Sequence, residues 1–276
     1  MRVRLWGTRG SLASPGPATV RYGGNTSCVE VRASDGSLVI LDAGTGIRAL
    51  GETIEPEVRR LDLLLTHLHM DHIQGLGFFG PFHRPDLEVH IWGPPSTTLD
   101  LRTRLTRYLS PPLFPVRLRD MGAQIALHDV PATPFSVGPL QIRGALVTHP
   151  GATVGYRVSE DGSSLAYLPD HEPALGAHEF PGDPDWTSGH DLAAGVDCLI
   201  HDSQYTDGEY LEHVGWGHSS IPQAFAFARS AGVRRLVTFH HDPDRTDAEL
   251  EEILAQARDG EPFELIGGAE GLELDV

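Results

Sequence analysis

The chain has 276 residues, 40% of them hydrophobic, which suffices for a sizeable core in one large domain. Acidic residues outnumber basic ones 38 to 21, for a formal charge of −17, and every basic residue is an arginine. This acidity argues against a broad nucleic-acid surface, which needs a basic patch, but not against a small anion neutralised locally by divalent cations and a few arginines.

The start, Met1-Arg2-Val3-Arg4-Leu5-Trp6, lacks the apolar core of a signal peptide, and no run of about 18 apolar residues occurs, so a cytoplasmic protein without membrane contact is expected. Strands are predicted over Val3–Trp6, Ser27–Arg32, Leu38–Asp42 and Leu61–Thr66, separated by Gly-rich turns. Leu87–Trp92 is a further strand, followed by Gly93-Pro94-Pro95, a helix from Ser96 to Tyr108, and the Pro-rich connection Pro111–Arg119. Leu140–Val147, Val154–Val158, Ser164–Leu168 and Val196–His201 are the next strands. Between the last two, Pro169–Gly189 is rich in Pro, Gly, His and Asp and reads as an ordered loop over a site. Ile221–Ala231 is a helix: Ser219 or Ser220 caps it, Pro222 suits its first turn and Gly232 its end. Arg235–Phe239 is a strand, and Thr246–Arg258 is an amphipathic helix opened by Thr246 or Asp247. No tandem repeat or low-complexity linker divides the chain, so residues 1–276 are expected to form a single domain. Cys28 and Cys198 lack the spacing of a structural zinc site and are expected as buried thiols.

The segment His67-Leu68-His69-Met70-Asp71-His72 directly follows the apolar run Leu61–Thr66, so four metal-ligand side chains crowd the end of a buried strand. Burying them unpaired is costly, and a bound cation is the simplest compensation. In an extended segment residues two apart share a face, so His67 and His69 can bind one cation together, while Asp71 and His72 follow at the turn and can reach a second. Imidazole and carboxylate donors suit zinc, manganese or iron, and the absence of thiolate argues against a closed structural zinc site. The chemistry indicated is metal-assisted hydrolysis.

Thr66-His67-Leu68-His69-Met70-Asp71-His72 resembles the hallmark motif of the metallo-β-lactamase fold, and Leu41-Asp42-Ala43-Gly44 resembles that family's "LDAG" strand end. The resemblance extends over most of the chain. It implies an α/β protein, a four-layer αβ/βα sandwich with mixed β-sheets, carrying two divalent metal ions, Zn2+ first and Mn2+ or Fe2+ as alternatives. The family supplies a third histidine for the first metal, a bridging carboxylate and a last histidine. His149, Asp170 and His240 fit these places, with His241 adjacent to the last. His67, His69 and His149 would then hold the first cation and Asp71, His72 and His240 the second, with Asp170 bridging. Asp42 is either an outer partner of a ligand histidine or a turn cap. A redox di-iron role is disfavoured, because that branch usually carries glutamate where this chain has His69.

Two further elements resemble the ribonuclease Z-like phosphodiesterase branch. His201-Asp202-Ser203-Gln204-Tyr205 is similar to its "HEAT" element and Gly217-His218-Ser219-Ser220 to its "HST" element. There an acid and a histidine form a dyad that protonates the leaving oxygen, here Asp202 (where the branch commonly has glutamate) and His218; a structural hydrogen-bonded pair is the alternative. Asp71, Asp202 and His218 are the expected catalytic residues, with a hydroxide between the two cations attacking phosphorus. Gly7-Thr8-Arg9-Gly10-Ser11 and Arg21–Ser27 also look like this branch, and Arg9 or Arg21 could contact phosphate, although a tight turn with exposed arginines reads equally from the sequence. The basic arm with which the ribonuclease grips tRNA is missing, so nucleic acid is disfavoured and a small anionic phosphodiester, such as a cyclic nucleotide or cyclic phosphate, is expected. Dimers are common in the branch, so a homodimer is expected too. His171, His201 and His213 receive no role. A lactone, thioester or β-lactam hydrolase with a dispensable His218, an RNA-processing nuclease, and a non-catalytic binding protein are the competing readings.

Overall fold

The computed structural model describes residues 1–175, 180–181, 183–257 and 260–276. Two seven-stranded sheets are built in chain order. The first takes β1 (Arg2–Gly7), β2 (Cys28–Arg32), β3 (Leu38–Leu41), β4 (Arg60–Leu64), β5 (Glu88–Gly93) and β6 (Gln124–Asp129). The second takes β7 (Phe135–Val137), β8 (Leu140–Leu146), β9 (Val154–Glu160), β10 (Ser163–Leu168), β11 (Cys198–Asp202), β12 (Arg235–Phe239) and β13 (Glu264–Gly267). The last strand, β14 (Glu273–Asp275), returns to the edge of the first sheet beside β1. In each sheet four neighbouring strands run parallel, β3 to β6 and β10 to β13, and the others pair antiparallel.

The helices are α1 (Ile47–Gly51), α2 (Met70–Ile73), α3 (Leu101–Leu105), α4 (His190–Ala193), α5 (Asp207–Glu212), α6 (Ile221–Ala231) and α7 (Asp247–Ala257). β3 shows why the layers stack. Its run Leu-Val-Ile-Leu is apolar on both faces, as a strand covered on both sides must be. Val39 and Leu41 pack against Tyr156, Leu165 and Phe239 between the sheets, while Leu38 and Ile40 face outward to Ile47, Leu50 and Phe79. The outer face of the second sheet buries Leu168, Leu199 and Leu236 under Phe225 and Phe227 of α6 and Leu250 of α7. The result is helix, sheet, sheet, helix: the four-layer sandwich implied by the resemblance.

Several local expectations are corrected. The helix expected from Ser96 to Tyr108 is confined to Leu101–Leu105, because the Asp100 carboxylate accepts from Thr103 N at 2.6 Å and starts the helix there. β6, β7, β13, β14 and the short helices α1, α4 and α5 carried no sequence expectation; β7 and β14 are three-residue edge strands with little periodicity to read. Leu38–Asp42 stops at Leu41, since Asp42 takes a left-handed backbone with φ 59°. Arg258, the expected end of the last helix, and positions 176–179 and 182 of the expected loop lie outside the described residues. Both thiols are free and buried, as expected, and burial pushes Cys198 up to about 12. No described helix is long and apolar enough to cross a membrane.

Of the two candidate caps for α6, Ser220 takes the role. Its Oγ accepts from Gln223 N at 3.2 Å, Gln223 Oε1 accepts from Ser220 N at 3.1 Å, and Pro222 and left-handed Gly232 bracket the helix. Ser219 instead donates its hydroxyl to His171 O. Ser220→Ala is expected to cost about 1–2 kcal/mol, read as a shift in the urea midpoint.

Candidate metal centre

The motif residues leave the first sheet after β4. Leu65 to His69 follow as an irregular segment with a bend at Thr66, and the single turn of α2 turns Asp71 and His72 back towards the strand ends. The second sheet supplies the facing groups: His149 after β8, Asp170 after β10 and His240 directly after β12. His67, His69 and His149 offer donor atoms all within 4.8 Å of one another, and so do Asp71, His72, Asp170 and His240. Asp170 divides itself between the two groups. Its Oδ2 lies 3.7 Å from His67 Nε2 and 3.8 Å from His149 Nε2, and its Oδ1 lies 2.8 Å from His72 Nε2 and 3.3 Å from His240 Nε2. Asp71 Oδ2 is 3.1 Å from His240 Nε2 and 3.3 Å from His72 Nε2.

The protein by itself leaves this cluster unsatisfied. His67 Nε2, His72 Nε2 and Asp170 Oδ1 are buried without a hydrogen-bond partner. His72 Nε2 and Asp170 Oδ1 are close but not aligned as donor and acceptor. Burial depresses the pKa of His67, His69 and His149, which keeps their lone pairs free for a cation. Burial also opposes charge on His72, yet Asp170, Asp71 and Asp42 together raise its pKa well above the usual value. Burial likewise works against a charged Asp170, but His240, His72 and His67 hold it well below the usual carboxylate range. Buried carboxylates that favour positive charge at His72, facing histidines kept neutral by burial, have the chemistry of a cation site, and the donor set fits divalent metal ions.

Outer partners orient the rings, as expected around ligand histidines. Asp42 Oδ2 accepts from His72 Nδ1 at 2.8 Å and from Tyr167 OH at 3.0 Å, while Oδ1 accepts from Thr66 N at 2.7 Å. The Thr66 hydroxyl donates to Asp42 and accepts from His67 Nδ1 at 3.0 Å. Asp42 is therefore an outer partner of two motif histidines, one directly and one through Thr66. His149 Nδ1 donates to Gly217 O and His240 Nδ1 to Gln204 Oε1, each at 2.9 Å. These partners assign Nε2 as the inward lone pair on His67, His72, His149 and His240. His69 differs: its Nδ1 faces His149 Nε2 at 3.2 Å. Gly217 (φ 90°) must lack a side chain, since a Cβ there would stand 2.3 Å from His149 Nδ1. Strain gathers here too. Ser11, Asp42 and His240 all adopt positive φ, and Ser11 N donates to Asp71 Oδ2.

Asp202 and His218 meet beside the cluster. His218 Nδ1 donates to Asp202 Oδ2 at 2.7 Å, and Asp202 Oδ1 accepts from Gln204 N and Ser219 N, both at 3.1 Å. The His218 ring lies between the two histidine groups, 4.8 Å from His240 and 5.1 Å from His149, and its Nδ1 is 4.0 Å from Asp170 Oδ2. Burial favours the neutral ring, but Asp202, followed by Asp170 and Asp71, raises its pKa to about 9. With Nδ1 engaged, Nε2 is the nitrogen left to meet a substrate.

The structure brings together every expected metal ligand and the dyad, but not the two arginines. Arg9 is corrected: it is fully buried and its guanidinium donates to the carbonyls of Gly23, Asp242 and Arg245, tying two loops together. Arg21 is exposed, and its guanidinium pairs with Glu251 of α7. His240 and His241 are now distinguished, since His241 Nε2 donates to Gly268 O, away from the carboxylates. His171 and His201 bond each other at 2.9 Å beneath Phe227, and His213 stacks on Tyr205. Sequence reasoning missed Glu172. Its buried carboxylate accepts from Gly215 N, Gly217 N and Tyr210 OH, which pins the loop that carries His218. Only its place two residues past Asp170 hinted at this.

Five histidines and two aspartates at facing strand ends of a four-layer sandwich define a metal-dependent hydrolase. The beta-lactamase superfamily domain model matches residues 38–241. The chain belongs to the metallo-β-lactamase superfamily, in its ribonuclease Z-like branch. Ribonuclease Z of Mycobacterium avium (strain 104) is 31% identical over 93% of this chain and 91% of its own length. Among solved structures, the metallo-beta-lactamase fold protein YhfI from Bacillus subtilis has a TM-score of 0.72 at 17% identity, covering 99% of this chain and 98% of its own. A diphosphatase from the PhnP family has a TM-score of 0.70 at 20% identity, covering 100% and 97%. At such identities the two structures speak for the fold.

Metal analysis by plasma mass spectrometry checks the site. His240→Ala is expected to lose about one equivalent of metal while His241→Ala keeps both, following the count of donor groups. Asp42→Asn is expected to weaken metal binding about 10–100-fold in a chelator competition, as loss of an outer partner does elsewhere.

Proposed function

We propose that the protein is a phosphodiesterase acting on a small phosphodiester, a cyclic nucleotide or cyclic phosphate being the leading class. In this reading His67, His69 and His149 would hold one cation and Asp71, His72 and His240 the other, with Asp170 available to both; zinc is the first candidate and manganese or iron the alternatives. Bound there, two divalent cations would polarise the phosphoryl oxygens and supply a nucleophile from water at neutral pH. The observation that carries the reading is the Asp202–His218 pair set against Asp170. An alkoxide is a poor leaving group and needs a proton. His218, kept protonated by Asp202 and turned so that Nε2 is free, delivers that proton to the departing oxygen. Asp71, fixed by Ser11 N, holds its carboxylate towards the second histidine group. A lactone or thioester hydrolase has less need of such a donor.

The net charge of −17 supports a small substrate over a polyanion. The similarity to Ribonuclease Z makes RNA the substrate to test against it. Faster cleavage of a precursor tRNA than of any small diester would overturn the small-substrate reading.

Metal-loaded protein is expected to hydrolyse both bis(p-nitrophenyl) phosphate and a cyclic nucleotide; turnover of neither sinks the proposal. His218→Ala should lower cyclic-nucleotide turnover by about 10²–10⁴-fold, the span of general-acid catalysis. Its effect on bis(p-nitrophenyl) phosphate should be far smaller, because p-nitrophenolate leaves without a proton. Equal losses on both substrates would make the pair structural. Asp202 raises the His218 pKa, so Asp202→Asn should move the alkaline fall in cyclic-nucleotide turnover to lower pH. An unmoved pH profile would remove His218 from the proton transfer.

A further inference from the structure

A cleft of about 290 Å³ opens beside His67 and His69, between the Pro94–Ser96 turn and the Pro150–Ala152 loop, and Arg104 lines it. Neither His218 nor Asp202 lines this cleft. If the leaving oxygen departs towards His218, the space beside His67 and His69 is where the part of the substrate that stays on phosphorus can lie.

Among the described residues Arg104 is the one arginine that lines this cleft, and it is incompletely satisfied. It sits on α3, and its side chain is 15% exposed. Nη2 donates to Pro94 O at 2.7 Å, which holds the guanidinium against the turn. Its nearest carboxylate, Asp129 Oδ1, is 3.6 Å away on a side chain that is 53% exposed, too solvated to neutralise it. Nε is buried without an acceptor, and Nη1 has none among the described residues. Burial lowers the Arg104 pKa, so the charge is held there at a desolvation cost that Asp129 and Asp100 only oppose. A positioned, under-used guanidinium next to a cation site suits an oxyanion, which its unengaged Nη1 can meet with a charge-assisted hydrogen bond.

We propose that this cleft is the subsite for the non-leaving arm of the substrate, and that Arg104 selects arms carrying a second oxyanion, a carboxylate or a phosphate. The inference rests on the phosphodiesterase reading and narrows its substrate class to cyclic phosphates and other diesters with an anionic group beyond the reacting phosphorus, for which a cyclic mononucleotide is a minimal analogue.

Three p-nitrophenyl phosphodiesters sharing one leaving group and differing in the other arm provide the test: ethyl, 2-carboxyethyl and choline. The wild-type protein should favour carboxyethyl over ethyl by about tenfold in kcat/KM, chiefly through KM, with choline last, as expected for a hydrogen bond to a charged group. The carboxyethyl-to-ethyl ratio should fall to about one in Arg104→Gln, turn towards choline in Arg104→Glu, and survive in part in Arg104→Lys. Binding of 3-phosphonopropanoate against propylphosphonate, measured by titration calorimetry, reads the same preference without turnover. A ratio that Arg104→Gln leaves unchanged in both measurements overturns the subsite, as does failure of 3-phosphonopropanoate to bind the metal-loaded protein. Hydrolysis without arm preference removes the subsite and spares the phosphodiesterase reading. Arg104-dependent phosphonate binding without hydrolysis of any diester does the reverse.

Discussion

One buried carboxylate, Asp170, joins the two halves of the molecule. It rises from the second sheet and turns one oxygen towards His67 and His149 and the other towards His72 and His240. Without a cation that arrangement is unfavourable, because His67 Nε2, His72 Nε2 and Asp170 Oδ1 are buried without hydrogen-bond partners. The fold tolerates it because the ligand-type residues follow strands that cannot shift. β4 and β10 are central strands, packed on both faces. The sandwich is thus a rigid frame whose strand ends oppose like-charged and neutral donors at fixed separations, and a pair of divalent cations is what such a frame accommodates.

Around Asp170 the outer hydrogen bonds form two connected supports. On one side Asp42, just past β3, gathers Thr66 from the segment after β4, Tyr167 of β10 and His72 of α2 on one carboxylate. On the other, Glu172 pins Gly215 and Gly217, and the Gly217 carbonyl accepts from His149. The loop that carries His218 is therefore tied both to a candidate metal ligand and to the strand end that supplies Asp170. A proton donor and a ligand histidine that share one backbone segment are positioned together.

Fold alone leaves the chemistry open, since one sandwich serves many reactions. The residues that narrow it lie outside the motif: Asp202 with His218 on one flank, Arg104 in the cleft on the other. The first speaks to the bond that breaks and the second to the group that remains. Neither belongs to the 67–72 segment that marks the family.

Much of the centre was legible because its information is local. Two histidines two apart on an extended segment, followed by aspartate and histidine in a single turn, announce a cation site without any tertiary contact. The run Leu38–Asp42 likewise announced a strand, and Ser219 or Ser220 with Pro222 and Gly232 bounded α6. The later ligands were reached only through resemblance, since a lone histidine after a strand carries little signal. Tertiary structure alone separated His240 from His241. Both follow β12, and the left-handed turn at His240 sends its ring to the carboxylates while His241 turns to Gly268. It also withdrew Arg9, whose partners are backbone carbonyls from two distant loops, and brought forward Glu172 and Arg104. The sequence by itself determined which side chains can ligate a metal and where strands must be buried. Which charges face the site and which are spent holding loops was decided only by the packing of the two sheets, because those partners lie far apart along the chain.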